Sequence, residues 1–497
     1  MSDAASVGDV GGAHRPSTPE PSFGPATGPA RFGAAAAQIM ANGIPADVDE
    51  WSRWALLDTV AVAVGGAGTR VTRAAIAAAG RHLGAAPLLV APGSASPEWA
   101  ALVLSTAANA LDYDDGHVEG GGIHAGSTVV GTLLAAAPDT VTTAQLRSAM
   151  VIGYEVAIRA GYLASPDVSG HDYRTSGYAA AIGAAAAASA ATGSDEMLDA
   201  PAPPTSRTAL IAAAIRLATA HAPVASFVSG GARESTGWAA LTAVGTVELA
   251  LSGLAPSAEE ERAVVPAGPT LFDPAGAAPK SRWYNLDEGF LAPGCYFKPY
   301  PCCRAAHAAI DATLELLDSG ALDPLTDSPI FVGLPAGAAA LTERRPVDLG
   351  EAQFAVPFLI GLTIARGVDG LRSLGRVPLK SLVGDPEIQR QTDRVRLEVD
   401  PDLDADPGTG YPARVTVGDD PTHNTVTIRD ALGSPQRPLD KQARLRKAHD
   451  LLVPAAGPAA ASKIIDALVD PPADQTLAQL RALLTTHLAT HQASGEV

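Results

Sequence analysis

Cysteine is nearly missing from this chain of 497 residues; the three that occur stand at positions 295, 302 and 303. That is too few for a disulfide framework and fits a reducing compartment, so the expected location is cytoplasmic. Basic residues are outnumbered, 35 Lys and Arg against 53 Asp and Glu. The resulting net charge of -18 excludes general nucleic-acid binding, which relies on clustered cations facing phosphates. A small acidic substrate stays compatible, because a pocket can be locally positive in an acidic protein. Long apolar runs are lacking too. The longest weakly polar stretch, Tyr178 to Gly193, is mostly Ala and Gly, which predicts a tightly packed helix in a folded domain and no membrane span. Glycine-rich phosphate loops in a strand–helix setting and the Gly-x-Ser-x-Gly nucleophile elbow are also absent.

The length exceeds what one ordinary core organises, so two or three domains are expected. Residues 1–31 are rich in Gly, Pro, Ala and Ser, with no basic segment ahead of an apolar one, and read as a disordered tail and not a signal peptide. From 32 to 288 the patterning is helical. Trp51 to Val64 and Ala100 to Leu111 repeat apolar residues at helical spacing. Thr142 and Gln145 form a capping box for a helix that carries Glu155 and Arg159 four apart, a spacing that lets them pair. Asp195 to Arg207, with three prolines, predicts a loop, and loop signals recur from about Pro266 to Gly294.

Residues 289–440 read as a smaller α+β domain. They hold helices over Cys302–Leu317 and Phe354–Ala365, with period-two strands at Ile330–Leu334, Arg394–Val399, Ala413–Val417 and Thr425–Ile428. Helices return over Lys441–Leu452, Ala459–Leu468 and Leu477–Leu488. The fold class is therefore mainly α with an α+β domain. A large all-helical domain is built from both chain ends, 32–288 and 441–497, and the smaller α+β lid domain is inserted between them.

Two segments carry the chemistry. Ala110-Leu-Asp-Tyr-Asp-Asp-Gly-His117, followed by His124-Ala-Gly-Ser127, gathers Asp112, Asp114, Asp115, His117 and His124 within thirteen residues, between two apolar helical runs. Three readings stay open on residue types alone: acid/base or substrate-binding work, an Asp-rich turn with incidental histidines, and a metal site. The glutamate of an EF-hand loop is missing at the required distance. Phe297-Lys-Pro-Tyr-Pro-Cys-Cys-Arg-Ala-Ala-His307 places Lys298 ahead of Pro301, a residue suited to a first helical turn. A helix starting there would offer free N–H groups to an anion beside Lys298, Arg304 and His307. Cys302 and Cys303 at such a terminus read either as activated thiols or as small apolar packing residues, the second being favoured. His171, Tyr173 and Arg174 occupy a polar stretch before the Ala-rich helix.

These segments together resemble the MmgE/PrpD family. So do Gly153-Tyr-Glu-Val-Ala-Ile-Arg159, Glu351-Ala-Gln-Phe354, Asp385-Pro-Glu-Ile388 and Pro435-Gln-Arg-Pro-Leu439, in the family's order over about residues 33 to 455. The family includes 2-methylcitrate dehydratase, cis-aconitate decarboxylase and iminodisuccinate epimerase. The resemblance implies a helical domain with an α+β lid, usually a homodimer, and chemistry on di- or tricarboxylates between the domains without metal or cofactor. By the same resemblance Asp112 and His124 handle protons and Lys298 binds a substrate carboxylate.

The departures from the family pattern fall in the same places. Ala125 replaces a proline, and Gly116 stands where threonine is frequent. Tyr173-Arg-Thr replaces His-Pro-Thr, so Tyr173 takes an expected histidine's place, with His171 two residues earlier. Arg233 is the nearest cation to an expected lysine. Phe354-Ala-Val-Pro-Phe358 loses the two hydroxyls of Phe-Ser-x-x-Tyr. The catalytic set expected on this reading is Asp112, His124 and Tyr173; substrate contacts fall to Lys298, His117, His171, Arg174, Arg233 and Arg304. The expected activity is a cofactor-independent dehydratase-like lyase acting on an altered substrate in a specialised pathway. A decarboxylase, an epimerase and a non-catalytic binding member are the alternatives.

Overall fold

Small residues set the spacing of the helices. The computed structural model describes residues 28–164, 174–192, 205–223, 235–254, 282–286, 288–404, 410–418 and 424–488. The tail up to residue 27 and most of the two loops expected around 195–207 and 266–294 lie outside them. The longer helices of the first part are α1 (Gly28–Asn42), α2 (Ala46–Gly66), α3 (Arg70–Ala79), α4 (Pro97–Asn109), α5 (Ala125–Ala136), α6 (Thr143–Ala164), α7 (Arg174–Ala191), α8 (Arg207–His221) and α9 (Thr236–Leu251). The first starts inside the stretch read as tail.

Within α7 nearly every described residue is buried, although most are alanine. One buried methyl contributes only about 0.8 kcal/mol, so such helices gain their stability from close backbone approach. A Cβ on Gly183 would overlap the carbonyl oxygen of Gly153 on α6, so the two helices touch at a place only glycine allows. The capping box opens α6 as the sequence predicts: Gln145 N donates to Thr142 Oγ1 (3.2 Å) and Thr142 N donates to Gln145 Oε1 (3.0 Å).

The later helices are α10 (His307–Asp318), α11 (Val356–Arg372), α12 (Pro386–Arg394), α13 (Lys441–Ala456), α14 (Pro458–Val469) and α15 (Leu477–Leu488). A short hairpin pairs β1 (Ala86–Pro87) with β2 (Ser94–Ala95). The larger sheet has the order β4-β3-β5-β6, from β3 (Ile330–Leu334), β4 (Val395–Val399), β5 (Ala413–Val417) and β6 (Thr425–Ile428). β3 runs parallel to β4, and the other pairs are antiparallel. Helices α10 and α11 pack with this sheet. Alternate residues of β5 point inward, as the period of two requires.

Two main cores result among the described residues. Buried apolar residues from Phe32 to Phe297 and from Leu439 to Leu488 form one cluster. Those from Tyr300 to Ala431 form the other. The molecule is mainly helical with a small α+β part, and α13 to α15 return to the first core. Among the described residues no helix is long and apolar enough to cross a membrane. The border between the cores in sequence, residues 297–300, falls on the Lys298 segment.

Candidate active site

Helix α4 ends at Asn109, and the chain turns back at once: Asp112 N donates to Asn109 O (2.8 Å). Asp112 takes a left-handed backbone, φ 48°, shared among described non-glycine residues only by Leu89. Such a conformation costs on the order of 1 kcal/mol and persists only where surroundings enforce it.

The enforcing contacts come from distant parts of the chain. Lys298 Nζ donates to the Asp112 carbonyl (3.0 Å) and to its carboxylate Oδ1. Tyr113 donates its hydroxyl to Pro299 O (2.9 Å). Lys447 on α13 donates to Tyr113 O (2.8 Å), pairs with Asp58 on α2 (2.7 Å), and lies 4.2 Å from the Tyr113 ring centre. The turn is thus held by the 298–299 segment between the cores and by the returning helix. The other carboxylate oxygen of Asp112, Oδ2, is buried and has no hydrogen-bond partner among the described residues.

Asp114 lies 3.3 Å from His124 Nδ1 and accepts from Asn109 Nδ2 (3.2 Å). Burial pushes its carboxyl up, but His124, Lys298 and Asn109 outweigh that and hold it down at about 2. Asp115 behaves oppositely. Burial raises it to about 7, against the hydrogen bond from Tyr154 (2.7 Å) and with the repulsion of Asp114 and Asp58. Burial also works against the Lys298 ammonium, yet Asp112 and Asp114 keep its pKa above the ordinary lysine value. Neighbouring carboxyls are therefore set to different protonation states, as acid–base sites require.

His124 is the N-cap of α5; its N–H donates to Ser176 Oγ (3.1 Å) on α7. Thr175 Oγ1 donates to Gly121 O (2.9 Å), so the start of α7 adjoins the 117–124 loop. His171, Tyr173 and Arg233 lie outside the described residues, as does the side chain of Arg174. Asp112, Asp114 and His124 present ligand atoms within 4.8 Å of one another, a spacing that suits a metal ion. The Lys298 ammonium, paired with Asp112 Oδ1, lies beside the same three residues.

Other residues expected at the site serve the backbone. His117 Nδ1 accepts from Gly120 N (3.0 Å). Burial lowers its pKa to about 4, against a backbone hydrogen bond at Leu291. Its ring is engaged on both sides by the chain, so it is not positioned as a free substrate ligand. Arg304 donates to Leu432 O (2.8 Å) and Ala431 O (3.0 Å), and its guanidinium covers the Tyr296 ring at 4.8 Å. The Cys302–Leu317 helix needs correction. A 3-10 turn over Arg304–Ala306 leads into α10 only at His307. Cys303 is extended (ψ 134°) and donates its N–H to Gln353 O (2.9 Å), a tertiary bond that overrides the local helix signal at Pro301. Lys298 thus does not flank a helix N-terminus. Burial pushes the Cys302 thiol well up, in keeping with a packing role.

Sequence reasoning passed over Asn109, Asp58, Lys447 and Tyr296, which stand in no recognisable motif. Phe354 and Phe358, both buried in the second core, give an apolar character to the segment after Gln353, whose amide donates to Ala110 O (3.3 Å).

Compared with known proteins, residues 30–259 match the MmgE/PrpD N-terminal domain and residues 300–470 match the MmgE/PrpD C-terminal domain. The second match runs on through α13 and α14, which pack on the first core. No curated protein matches the chain.

Proposed function

The chain belongs to the MmgE/PrpD family, and on that premise we propose that it is a cofactor-independent lyase that removes a proton beside a carboxylate and expels a leaving group from the next carbon. One observation carries the reading. A strained Asp112, with a buried oxygen that has no partner among the described residues, is clamped by Lys298 beside an ionised Asp114 that faces His124.

In this scheme His124 takes the proton and returns it to the departing oxygen. The ionised Asp114 is the counter-charge that an imidazolium needs. The Lys298 ammonium stabilises the charge gathering on the substrate carboxylate, and Asp112 Oδ2 accepts from a substrate hydroxyl. The alanine and phenylalanine at positions 355 and 358, where the family pattern has hydroxyls, support a substrate with fewer carboxylates or hydroxyls than citrate-like acids, because each lost donor removes a partner for such a group.

Proton NMR in deuterated buffer with 2-methylcitrate, cis-aconitate and simpler hydroxy acids tests the reading. Loss of water or another leaving group from one of them is the expected result. Deuterium uptake without elimination would replace the lyase by an epimerase. Binding without any exchange would leave a non-catalytic member of the family.

A further inference from the structure

Tyr296 is 3 % exposed and pairs with Gly116 as an isolated antiparallel bridge. Tyr296 N donates to Gly116 O (2.8 Å), and Gly116 N donates to Tyr296 O (3.2 Å). The side chain folds back over its partner. A Cβ on Gly116 would overlap both the phenolic oxygen and the ring carbon that bears it, so the phenol fills the space any side chain at 116 would take. Position 116 lies inside the turn that carries Asp112, Asp114 and, further on, His124. The Tyr296 ring stands edge-on to the His124 imidazole, centroids 6.4 Å apart at 85°, under the guanidinium of Arg304.

We propose that Tyr296 is a substrate-facing donor: its O–H donates to the substrate oxygen on which negative charge builds as the proton leaves, and Gly116 is the clearance that admits it. The inference rests on the lyase reading. A donor already fixed in a buried site stabilises developing charge without reorganising, which is the arrangement that lowers such barriers. Burial raises the phenol pKa well above its ordinary value; Arg304 acts against this, and Tyr411, Asp112 and Asp114 act with it. At neutral pH the group therefore gives a hydrogen bond and does not act as a base.

The test uses Tyr296→Phe in the full chain, which keeps the ring, its contact with Arg304 and the backbone bridge. Thermal melting should be unchanged. Two probes are titrated by calorimetry: 3-nitropropionate, whose nitronate copies carbanion-like charge, and succinate, which carries two carboxylates without it. The variant should bind the nitronate about 10- to 100-fold more weakly and succinate less than about 3-fold more weakly. Equal losses for both probes, or no loss, would overturn the role given to Tyr296 while leaving the lyase reading in place. A wild-type protein that binds neither probe would overturn both.

Discussion

Two clusters of charge are buried in this molecule, and they are built differently. In the first, Glu155 and Arg159 on α6 form an ion pair with no solvent exposure. Glu155 Oε1 also accepts from Leu291 N and Ala292 N, both at 2.7 Å. Arg159 donates to the carbonyls of Arg282 (2.8 Å), Asn285 (3.0 Å) and Gly289 (3.1 Å). In the second, around Asp112, the backbone is strained and Oδ2 of Asp112 and Oδ1 of Asp115 have no partners among the described residues. A buried polar network that satisfies itself is a staple. One that leaves acceptors open carries a local penalty of the kind that marks binding and reacting sites. The contrast separates structure from function here better than burial does, since both clusters are equally dry.

Substitutions should therefore give opposite phenotypes at the two clusters. His124→Ala should lower turnover about 10²- to 10⁴-fold while the melting temperature stays nearly constant, measured on whichever substrate the NMR panel identifies. An unchanged rate would remove His124 from the chemistry. Glu155→Ala should do the reverse. Leaving Arg159 buried and unpaired costs about 3–5 kcal/mol in urea denaturation, with turnover per folded molecule retained.

Acidity sharpens the comparison further. Asp115 has a folded pKa of about 7, well above the ordinary carboxyl, so folding favours its protonated form. Its stabilising contribution is complete below about pH 4 and is lost as pH rises through 7. Asp115→Asn, which cannot ionise, should thus gain about 4 kcal/mol relative to wild type between pH 4 and pH 7. A constant difference between the two denaturation curves would mean that Asp115 does not hold its proton. His117, depressed to about 4, works in the opposite sense: its contribution is complete above about 6.5 and is lost on acidification. The smallest effect belongs to the exposed capping box. Thr142→Ala should cost about 1 kcal/mol with no change in rate, a control that belongs to neither cluster.

Legibility in the sequence followed how local each signal is. The strands Ile330–Leu334, Ala413–Val417 and Thr425–Ile428 appear with the boundaries their alternation predicts. The Thr142 capping box and the Glu155–Arg159 pair, both short-range, also appear as expected. Asp112, His124 and Lys298 could be named because they stand in motifs, and the structure brings Asp112 together with Lys298 and His124 with Asp114. The helix expected at Cys302 starts late because Gln353, fifty residues on, takes the N–H of Cys303. Tyr296 was invisible for a related reason. Its meaning lies in the emptiness of Gly116, and no local pattern records a volume shared by residues so far apart. Lys447 looks in sequence like any lysine on an amphipathic helix, yet it is 4 % exposed beneath Tyr113.

That lysine has a consequence for how the protein comes into being. Tyr113 and Lys447 are separated by 334 residues, so the brace under the Asp112 turn closes only after almost the whole chain has been made and its last helices have docked. Contacts of such sequence separation are slow to form and come late in folding. A chain whose last helices have not docked holds the Tyr113 carbonyl without its donor and Asp58 without its counter-charge. Competence for chemistry is thereby tied to completion of the fold: a chain interrupted before α13 would keep Lys298 for Asp112 but leave Asp58 without its counter-charge and Tyr113 without its brace.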